Sequence, residues 1–213
     1  MSRHYHSIAF TEPVVDAQIR YGSRAAVDRA DRHHVPGPAQ ALDPMGSAER
    51  EFIAGRDGFY LATVSNSGWP YVQYRGGQPG FVNVPDEHTL AWADYRGNRQ
   101  YISTGNAAHD PRMALIFMDY PRQLRLKVFG VATISDVDGP RPYDGDLATP
   151  GYRAIVEREV RVEVRAFDWN CPQHITPRYT AAELTTVVAP LRRRINDLET
   201  ENQHLRELQE GTR

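Results

Sequence analysis

Six short runs rich in β-branched and aromatic residues constrain the fold of this chain more than any other feature. Turn-forming sequences separate them, among them Asn66-Ser67-Gly68 and Pro85-Asp86-Glu87. Short strands with this spacing favour an antiparallel barrel or sandwich. Phe59–Val64 and Trp69–Val72 predict an opening β-hairpin. The predicted strands are Phe59–Ser65, Tyr71–Tyr74, Thr89–Ala93, Met113–Asp119, Arg125–Ile134 and Glu159–Phe167.

A polar and basic turn follows the third of these strands. It contains Asn98, Arg99 and Gln100, and a short amphipathic helix is predicted directly after it. Backbone N–H groups and the dipole at a helix start favour an anion, and arginine offers a forked donor that matches phosphate oxygens. The residues are therefore suited to hold a phosphate, although on chemistry alone a solvated turn fits them equally well.

Four segments in combination carry a resemblance to a known family. They are Pro70–Gly77, Gly80-Phe81, Trp92–Ser103 and Phe167–Arg178. Together they resemble the FMN-binding split barrel of the pyridoxamine 5'-phosphate oxidase superfamily, and in particular its flavin-nucleotide-binding branch. The resemblance covers roughly residues 45–180. It implies a mainly β protein with flanking helices, and it selects a split β-barrel over a sandwich.

The resemblance also implies which residues hold the cofactor. One strand is implied to line the flavin, with Arg75 reaching toward its phosphate. The backbone at the end of a second strand is implied to run along the isoalloxazine ring, and the polar turn matches the family's Ser-Arg-Lys phosphate turn. The residues concerned are Gln73, Tyr74 and Arg75, then Trp92, Ala93 and Asp94, then Asn98, Arg99 and Gln100.

Split-barrel sites usually lie at a dimer interface, so the resemblance implies a homodimer. Arg125 and Lys127 match a region that contributes contacts there, although they also fit ordinary outward-facing strand residues. Trp169, Gln173, His174 and Arg178 fall near the family's C-terminal contacts to flavin or substrate, although Trp169 also fits a core residue.

At the phosphate turn the chain departs from the family, since Asn98 stands for Ser and Gln100 for Lys. One positive charge is lost there, which Arg96 or Arg75 would restore. FMN is the expected cofactor, and the deazaflavin F420 is the alternative. A haem-binding protein is a further alternative, with His174 or His109 as ligand.

The expected activity is that of an oxidoreductase acting on an unidentified small molecule, with a non-catalytic flavin-binding protein as the alternative. The flavin carries the redox chemistry in such proteins, so an essential side-chain base is not required. His174 is the one histidine suspected in catalysis. The Arg-x-His-Asp-Arg-type substrate signature of true pyridoxamine-phosphate oxidases is absent. Cys171 follows no recognisable base and is interpreted as a small buried residue.

Three regions are expected along the chain: an N-terminal arm (1–45), the FMN-binding split barrel (46–180) and a C-terminal helix (181–213). A short helix is predicted around Val14–Ala30, and another begins near Ser47, which is interpreted as its N-cap. His33-His34 is interpreted as part of a solvated loop. The stretch 136–158 is expected to be a long loop, either a lid or plain surface.

The C-terminal region carries a heptad pattern. Thr180-Ala181-Ala182-Glu183 forms a capping-box sequence, and Pro190 is expected to kink or restart the helix. The pattern favours a parallel two-stranded coiled coil, with an amphipathic helix on its own domain as the alternative. Leucines at d are Leu184, Leu191, Leu198 and Leu205, residues at a are Val188, Ile195 and Asn202, and the opposite-charge pairs are Arg194 with Glu199 and Glu201 with Arg206.

The bulk composition excludes several classes of protein. The formal net charge is −2, which gives no field to recruit nucleic acid or an anionic membrane. No run of about 18 apolar residues occurs. A single cysteine fits a reducing compartment, so a soluble cytoplasmic protein is expected. No metal site is expected, because cysteines and carboxylates at ligand spacing are missing.

Overall fold

The computed structural model describes residues 3–31, 42–137, 147, 151–169 and 173–210. Contacts divide the chain into two units, residues 1–119 with 124–173, and residues 120–123 with 174–213. His33, His34 and Cys171 lie outside the described residues, as does most of the predicted 136–158 loop.

Seven antiparallel strands form one sheet in the first unit, in the order β2-β1-β5-β6-β7-β4-β3. The mainly β fold with flanking helices is confirmed, and six strands lie where the sequence predicts them. The strands are β1 (Gly58–Val64), β2 (Pro70–Gly76), β3 (Val82–Asp86), β4 (Thr89–Tyr95), β5 (Arg112–Asp119), β6 (Leu124–Asp136) and β7 (Val156–Trp169).

The sheet curls so that strands far apart in its order meet. β2 is one edge strand and β4 lies next to the other edge, yet Arg75 Nη1 on β2 is 3.3 Å from Asp94 Oδ1 on β4. Similarly, the rings of Phe59 on β1 and Trp92 on β4 have centroids 5.0 Å apart. Side chains rather than backbone hydrogen bonds join the two ends, which gives the split barrel that the resemblance implies.

The opening hairpin is confirmed, since β1 and β2 pair with Val64 opposite Pro70 and Gly58 opposite Gly76. The prediction missed β3 because Pro85-Asp86 resembles a turn. Proline lacks a backbone donor and is tolerated on an edge strand such as β3, and the turn instead falls at Glu87-His88.

Five helices accompany the sheet among the described residues of the first unit. The single helix predicted over Val14–Ala30 is wrong, because Gly22 ends the first of two helices in a left-handed conformation (φ 76°). Its N–H and that of Ser23 bond to the carbonyls of Ile19 and Gln18, which is a Schellman ending. The helices are α1 (Arg3–Ala9), α2 (Glu12–Arg20), α3 (Arg24–Asp31), α4 (Ser47–Ala54) and α5 (Ile102–His109).

The start of α4 differs by one residue from the prediction. Gly46, not Ser47, is the N-cap, and the Glu49 carboxylate accepts its backbone N–H at 2.9 Å. Phe52 and Ile53 are buried in the main core. The helix therefore contributes its apolar face to the barrel interior.

The second unit contains α6 (Ala181–Glu210), a single helix of 30 residues. The predicted capping box is present: Thr180 N–H donates to Glu183 Oε2 at 2.7 Å, and Glu183 N–H donates to Thr180 Oγ1 at 3.2 Å. The helix continues through Pro190 without a restart. None of the described helices is long and apolar enough to cross a membrane.

Candidate functional site

A cleft of about 360 Å³ opens between β2, the end of β4 and the turn before α5. Volumes in this range are typical of small-molecule sites. The cleft is lined by all nine residues that the resemblance implies for β2, β4 and the polar turn. They are Gln73, Tyr74, Arg75, Trp92, Ala93, Asp94, Asn98, Arg99 and Gln100.

Side-chain alternation on β2 determines which residues face the cleft. Gln73 and Arg75 are partly buried, whereas Val72 and Tyr74 are exposed on the opposite face. The Tyr74 ring packs edge-on against Tyr60, with centroids 5.5 Å apart. Burial is the main cause of the raised pKa of Tyr74. The Tyr74 side chain thus lies on the opposite face of β2 from Gln73 and Arg75.

The end of β4 places a carboxylate inside the cleft. Asp94 is only 3% exposed, and two arginines surround it. Its Oδ1 lies 3.3 Å from Arg75 Nη1, and its Oδ2 lies 2.8 Å from Arg158 Nη2. A buried carboxylate needs charged partners of this kind. The two ion pairs in turn hold both guanidinium groups at the cleft.

Trp92 and Ala93, the two residues before Asp94, point to opposite faces of β4. Trp92 is buried in the main core, and its Nε1 has no hydrogen-bond partner among the described residues. Ala93 packs in a second cluster with Leu147 and Val156. Both residues therefore also serve the packing of the barrel.

The polar turn is strained and largely exposed. Arg99 (φ 61°) and Tyr101 (φ 54°) both adopt the left-handed region, which non-glycine residues rarely enter and which is common at functional sites. Asn98 Oδ1 accepts the Gln100 N–H at 3.2 Å. The Arg99 side chain is exposed, and its Nε donates to the Tyr101 hydroxyl at 3.3 Å.

Glu157 on β7 forms hydrogen bonds with both ends of this turn, at Arg96 and at Tyr101. Its Oε1 accepts from Arg96 Nε at 2.7 Å and from the Tyr101 hydroxyl at 3.3 Å. Its Oε2 accepts from Arg158 at 3.1 Å. These bonds hold the pKa of Glu157 below its usual value, and the bond from Arg96 contributes most.

Helix α5 starts at this turn and packs on the barrel through polar groups. Tyr101 is its N-cap residue and makes no side-chain capping bond. Ser103 Oγ donates to Gln73 Oε1 at 2.9 Å, and Asn106 Nδ2 donates to Thr63 Oγ1 at 3.0 Å. The first of these bonds holds the Gln73 amide at the cleft.

Three further residues that the resemblance implies are not among those that line this cleft: Arg125, Lys127 and Trp169. Lys127 Nζ lies 3.1 Å from Asp168 Oδ2 and 4.4 Å from the centroid of the Tyr5 ring. Arg125 lies on the same strand, two residues before Lys127. Trp169 packs edge-on against Phe52 and donates from Nε1 to Glu49 Oε1 at 2.7 Å, so its core interpretation fits.

Three further residues that the resemblance implies follow Trp169, namely Gln173, His174 and Arg178. The Gln173 side chain is exposed. His174 and Arg178 belong to the second unit, where both are exposed and the Arg178 guanidinium lies 5.1 Å from the Tyr120 ring centroid. His109 is exposed at the end of α5. Within the described ranges, no three His, Cys, Asp or Glu side chains gather into a metal site.

Sequence reasoning missed Glu157 and Arg158. Both lie at the end of the poorly patterned 136–158 stretch, and nothing local distinguishes them from surface charges. Arg158 stands directly opposite Asp94 in the β4–β7 register. Only this pairing, formed over 64 residues of chain, brings them to the cleft.

The curled antiparallel sheet and the arginine-rich cleft between its ends define a split-barrel protein with a candidate anion site. Residues 45–161 match the family model described as Pyridoxamine 5'-phosphate oxidase (PNPOx_N). This is more than half of the chain, and the chain belongs to that family. The comparison with curated protein sequences gave no match.

Several solved structures are similar in part. HupZ from Group A Streptococcus shares 16% identity over 63% of this chain and 100% of its own, with a TM-score of 0.47. An FMN-binding protein from Syntrophomonas wolfei shares 11% identity over 72% of this chain and 97% of its own, with a TM-score of 0.44. An F420 reductase shares 23% identity over 55% of this chain and 94% of its own, with a TM-score of 0.38. Because these likenesses are weak, the family assignment rests on residues 45–161.

Proposed function

We propose that the cleft binds FMN, with its phosphate at the turn formed by residues 96–101, and that the protein is an FMN-dependent oxidoreductase. The charge balance of the cleft carries this proposal. Four arginines and two carboxylates line it, a net charge of +2. A phosphate monoester carries about −1.5 to −2 at neutral pH, so one such group balances the site. The four arginines are Arg75, Arg96, Arg99 and Arg158.

The donors at the turn fit a phosphate. Arg75, Arg96 and Arg158 are each within 4 Å of a carboxylate, whereas Arg99 makes no ion pair in the described part of the chain. Its guanidinium is therefore available to a ligand. The start of α5 adds backbone N–H groups and a favourable dipole, with no side-chain cap competing for them.

The rest of the cleft fits the polar chain and ring of a flavin nucleotide. Arg75 Nε is buried without a hydrogen-bond partner among the described residues, so it can donate to a polar ligand atom. The Oε1 atom of Gln73 accepts from Ser103, which leaves its amide N–H groups as donors. When bound, FMN supplies the hydride or electron transfer. The protein residues bind it and orient it.

A homodimer is part of this proposal. The outer face of β2, β1 and β5 exposes Tyr60, Val64, Val72, Tyr74 and Ile116. Exposed apolar patches of this kind are typical of protein interfaces. The family resemblance, which implies a flavin site at a dimer interface, supports the same assembly. The single cysteine supports a reducing compartment such as the cytoplasm.

The proposal is tested by the absorbance spectrum of the freshly purified protein, followed by mass identification of what heat releases. The spectrum of an oxidised flavin and the mass of FMN would support it. A colourless protein that also fails to take up added FMN would contradict it, and the mass of F420 or a haem spectrum would replace FMN. Consumption of NAD(P)H or oxygen by the loaded protein then separates an enzyme from a flavin carrier.

The substrate is proposed to be a small molecule other than pyridoxamine phosphate. The supporting observation is the sequence Ile175-Thr176-Pro177-Arg178, which stands where true pyridoxamine-phosphate oxidases carry their substrate signature. Incubating the FMN-loaded protein with pyridoxamine phosphate under air tests this directly. Hydrogen peroxide formation at a rate above that with free FMN would contradict it.

A further inference from the structure

An apolar stripe runs along α6 and is exposed in the part of the chain that the structure describes. None of its residues is buried, although the helix is 30 residues and therefore about 45 Å long. Leu191 and Ile195 are more than half exposed. Leucines at every seventh position define the stripe: Leu184, Leu191, Leu198 and Leu205. A soluble helix of this kind normally covers such a stripe against a partner.

We infer that the occupant is the α6 helix of a second copy of this chain, parallel and in register. Val188 and Ile195 occupy the a positions between the leucines, and β-branched residues at a with leucine at d favour two strands. Pro190 falls at an outward c position, so its ring stays clear of the seam. The inference concerns α6 alone and is independent of the proposed flavin site.

Charge complementarity supports a second copy as the partner. In a parallel dimer each g residue meets the e residue five positions later on the other helix, which pairs Arg194 with Glu199 and Glu201 with Arg206. Each pair forms twice by symmetry. In the described part of the chain, none of these four side chains makes an ion pair of its own. All four are therefore available across the seam.

Asn202 decides the orientation. An antiparallel dimer with Ile195 opposite Leu198 also satisfies the charges, because Arg194 then meets Glu201. That arrangement places Asn202 against Leu191, where its amide has no partner. The parallel arrangement instead places the two Asn202 amides against each other, where they can hydrogen-bond. A single asparagine at an a position specifies register in this way.

A disulfide at the end of the helix tests the arrangement in the full-length protein. Cys171→Ser removes the native thiol, and Gln209→Cys then places one thiol at the next a position. A disulfide needs Cα atoms about 4.4–6.8 Å apart, which only a parallel, in-register pair provides at this position. Glu207→Cys in the same background is the matched control, because residue 207 lies at the outward f position.

At redox equilibrium in a glutathione buffer, the Gln209→Cys protein should become a disulfide-linked dimer and the Glu207→Cys protein should not. Adding Leu198→Asp and Leu205→Asp should abolish the link. Failure of Gln209→Cys to link, or equal linking of both variants, overturns the inference. Flavin is not involved in the measurement, so such a failure leaves the proposed function standing.

Charge reversal keeps the test decisive if the aspartate variants lose their helix. One chain carries Arg194→Glu with Arg206→Glu, and the other carries Glu199→Arg with Glu201→Arg, each in the Gln209→Cys background. Each alone presents like charges across a parallel seam, and a mixture presents four opposite pairs. The mixed disulfide should exceed the share that random pairing gives. A random distribution overturns the inference.

Discussion

Arg158 Nε donates to Asp94 Oδ2 at 2.9 Å and joins two residues that stand directly opposite each other on β7 and β4. The same carboxylate contacts Arg75 on β2, which is the far edge of the sheet. One buried aspartate therefore connects the two ends of the split barrel and fixes two of the four arginines at the cleft.

Asp94→Asn should destabilise the fold, because it leaves two partly buried guanidinium groups without their shared carboxylate. Breaking a buried pair in this way costs about 3 kcal/mol. Urea unfolding measures the change in free energy. Glu163→Gln is the control, since this exposed carboxylate pairs with Arg165 at the surface and its loss should cost less than about 1 kcal/mol. Equal losses in the two variants would contradict the role of Asp94.

Arg99→Ala should weaken FMN binding by about 10- to 100-fold, because it removes a charge-assisted contact to phosphate. The fold should be unaffected, since the side chain is exposed. FMN fluorescence quenching measures the dissociation constant. Arg161→Ala removes an equally charged, exposed residue outside the cleft. The affinity of this variant for FMN should therefore match that of the wild type. Unchanged affinity for FMN in Arg99→Ala would contradict the proposal that this turn binds the phosphate.

Glu157 should give the turn a pH-dependent stability. Its pKa is lowered in the fold, chiefly by the hydrogen bond from Arg96. A lowered carboxyl pKa contributes stability above the unfolded value and loses it as the pH falls through the folded value. Glu157→Gln should therefore reduce the free energy of unfolding at neutral pH, and the difference from wild type should shrink below about pH 4.5. Urea unfolding at several pH values measures this; a constant difference would contradict it.

Gly130 and Gly105 should respond to alanine in opposite directions. At Gly130, beside a bulge between β6 and β7, a Cβ would clash with Val162 Cγ1 and lie 2.8 Å from the Glu163 carbonyl oxygen. Gly130→Ala should destabilise by about 1–3 kcal/mol. At Gly105 in α5 a Cβ meets nothing within 4 Å, so Gly105→Ala should stabilise by about 0.5–1 kcal/mol. Thermal unfolding distinguishes them, and similar shifts would contradict this packing.

Local patterns in the sequence predicted most of the fold. The turn signal at Asn66-Ser67-Gly68 and the capping box at Thr180 each act within a few residues, so both features could be read directly. β3 was missed because its proline is tolerated only at an edge, and edge position is a property of the assembled sheet. The predicted helix over Val14–Ala30 failed at Gly22, whose left-handed conformation ends α2.

The candidate site was predictable only in part. Gln73, Asp94 and Arg99 were identified because they fall in segments that resemble the family. Glu157 and Arg158 were not, because their role depends on β7 pairing with β4. The sequence also could not show that Lys127 pairs with Asp168, since that partner comes from another strand. Contacts between distant strands therefore account for much of what was missed.

Comparison of FMN with riboflavin tests the central claim most directly, because the two ligands differ only in the phosphate. Titration of the cofactor-free protein, followed by flavin fluorescence, gives both dissociation constants. If the turn at residues 96–101 holds the phosphate, FMN should bind about 100-fold more tightly than riboflavin, and Arg99→Ala should remove much of that difference. Equal affinities for FMN and riboflavin in the wild type would contradict the account.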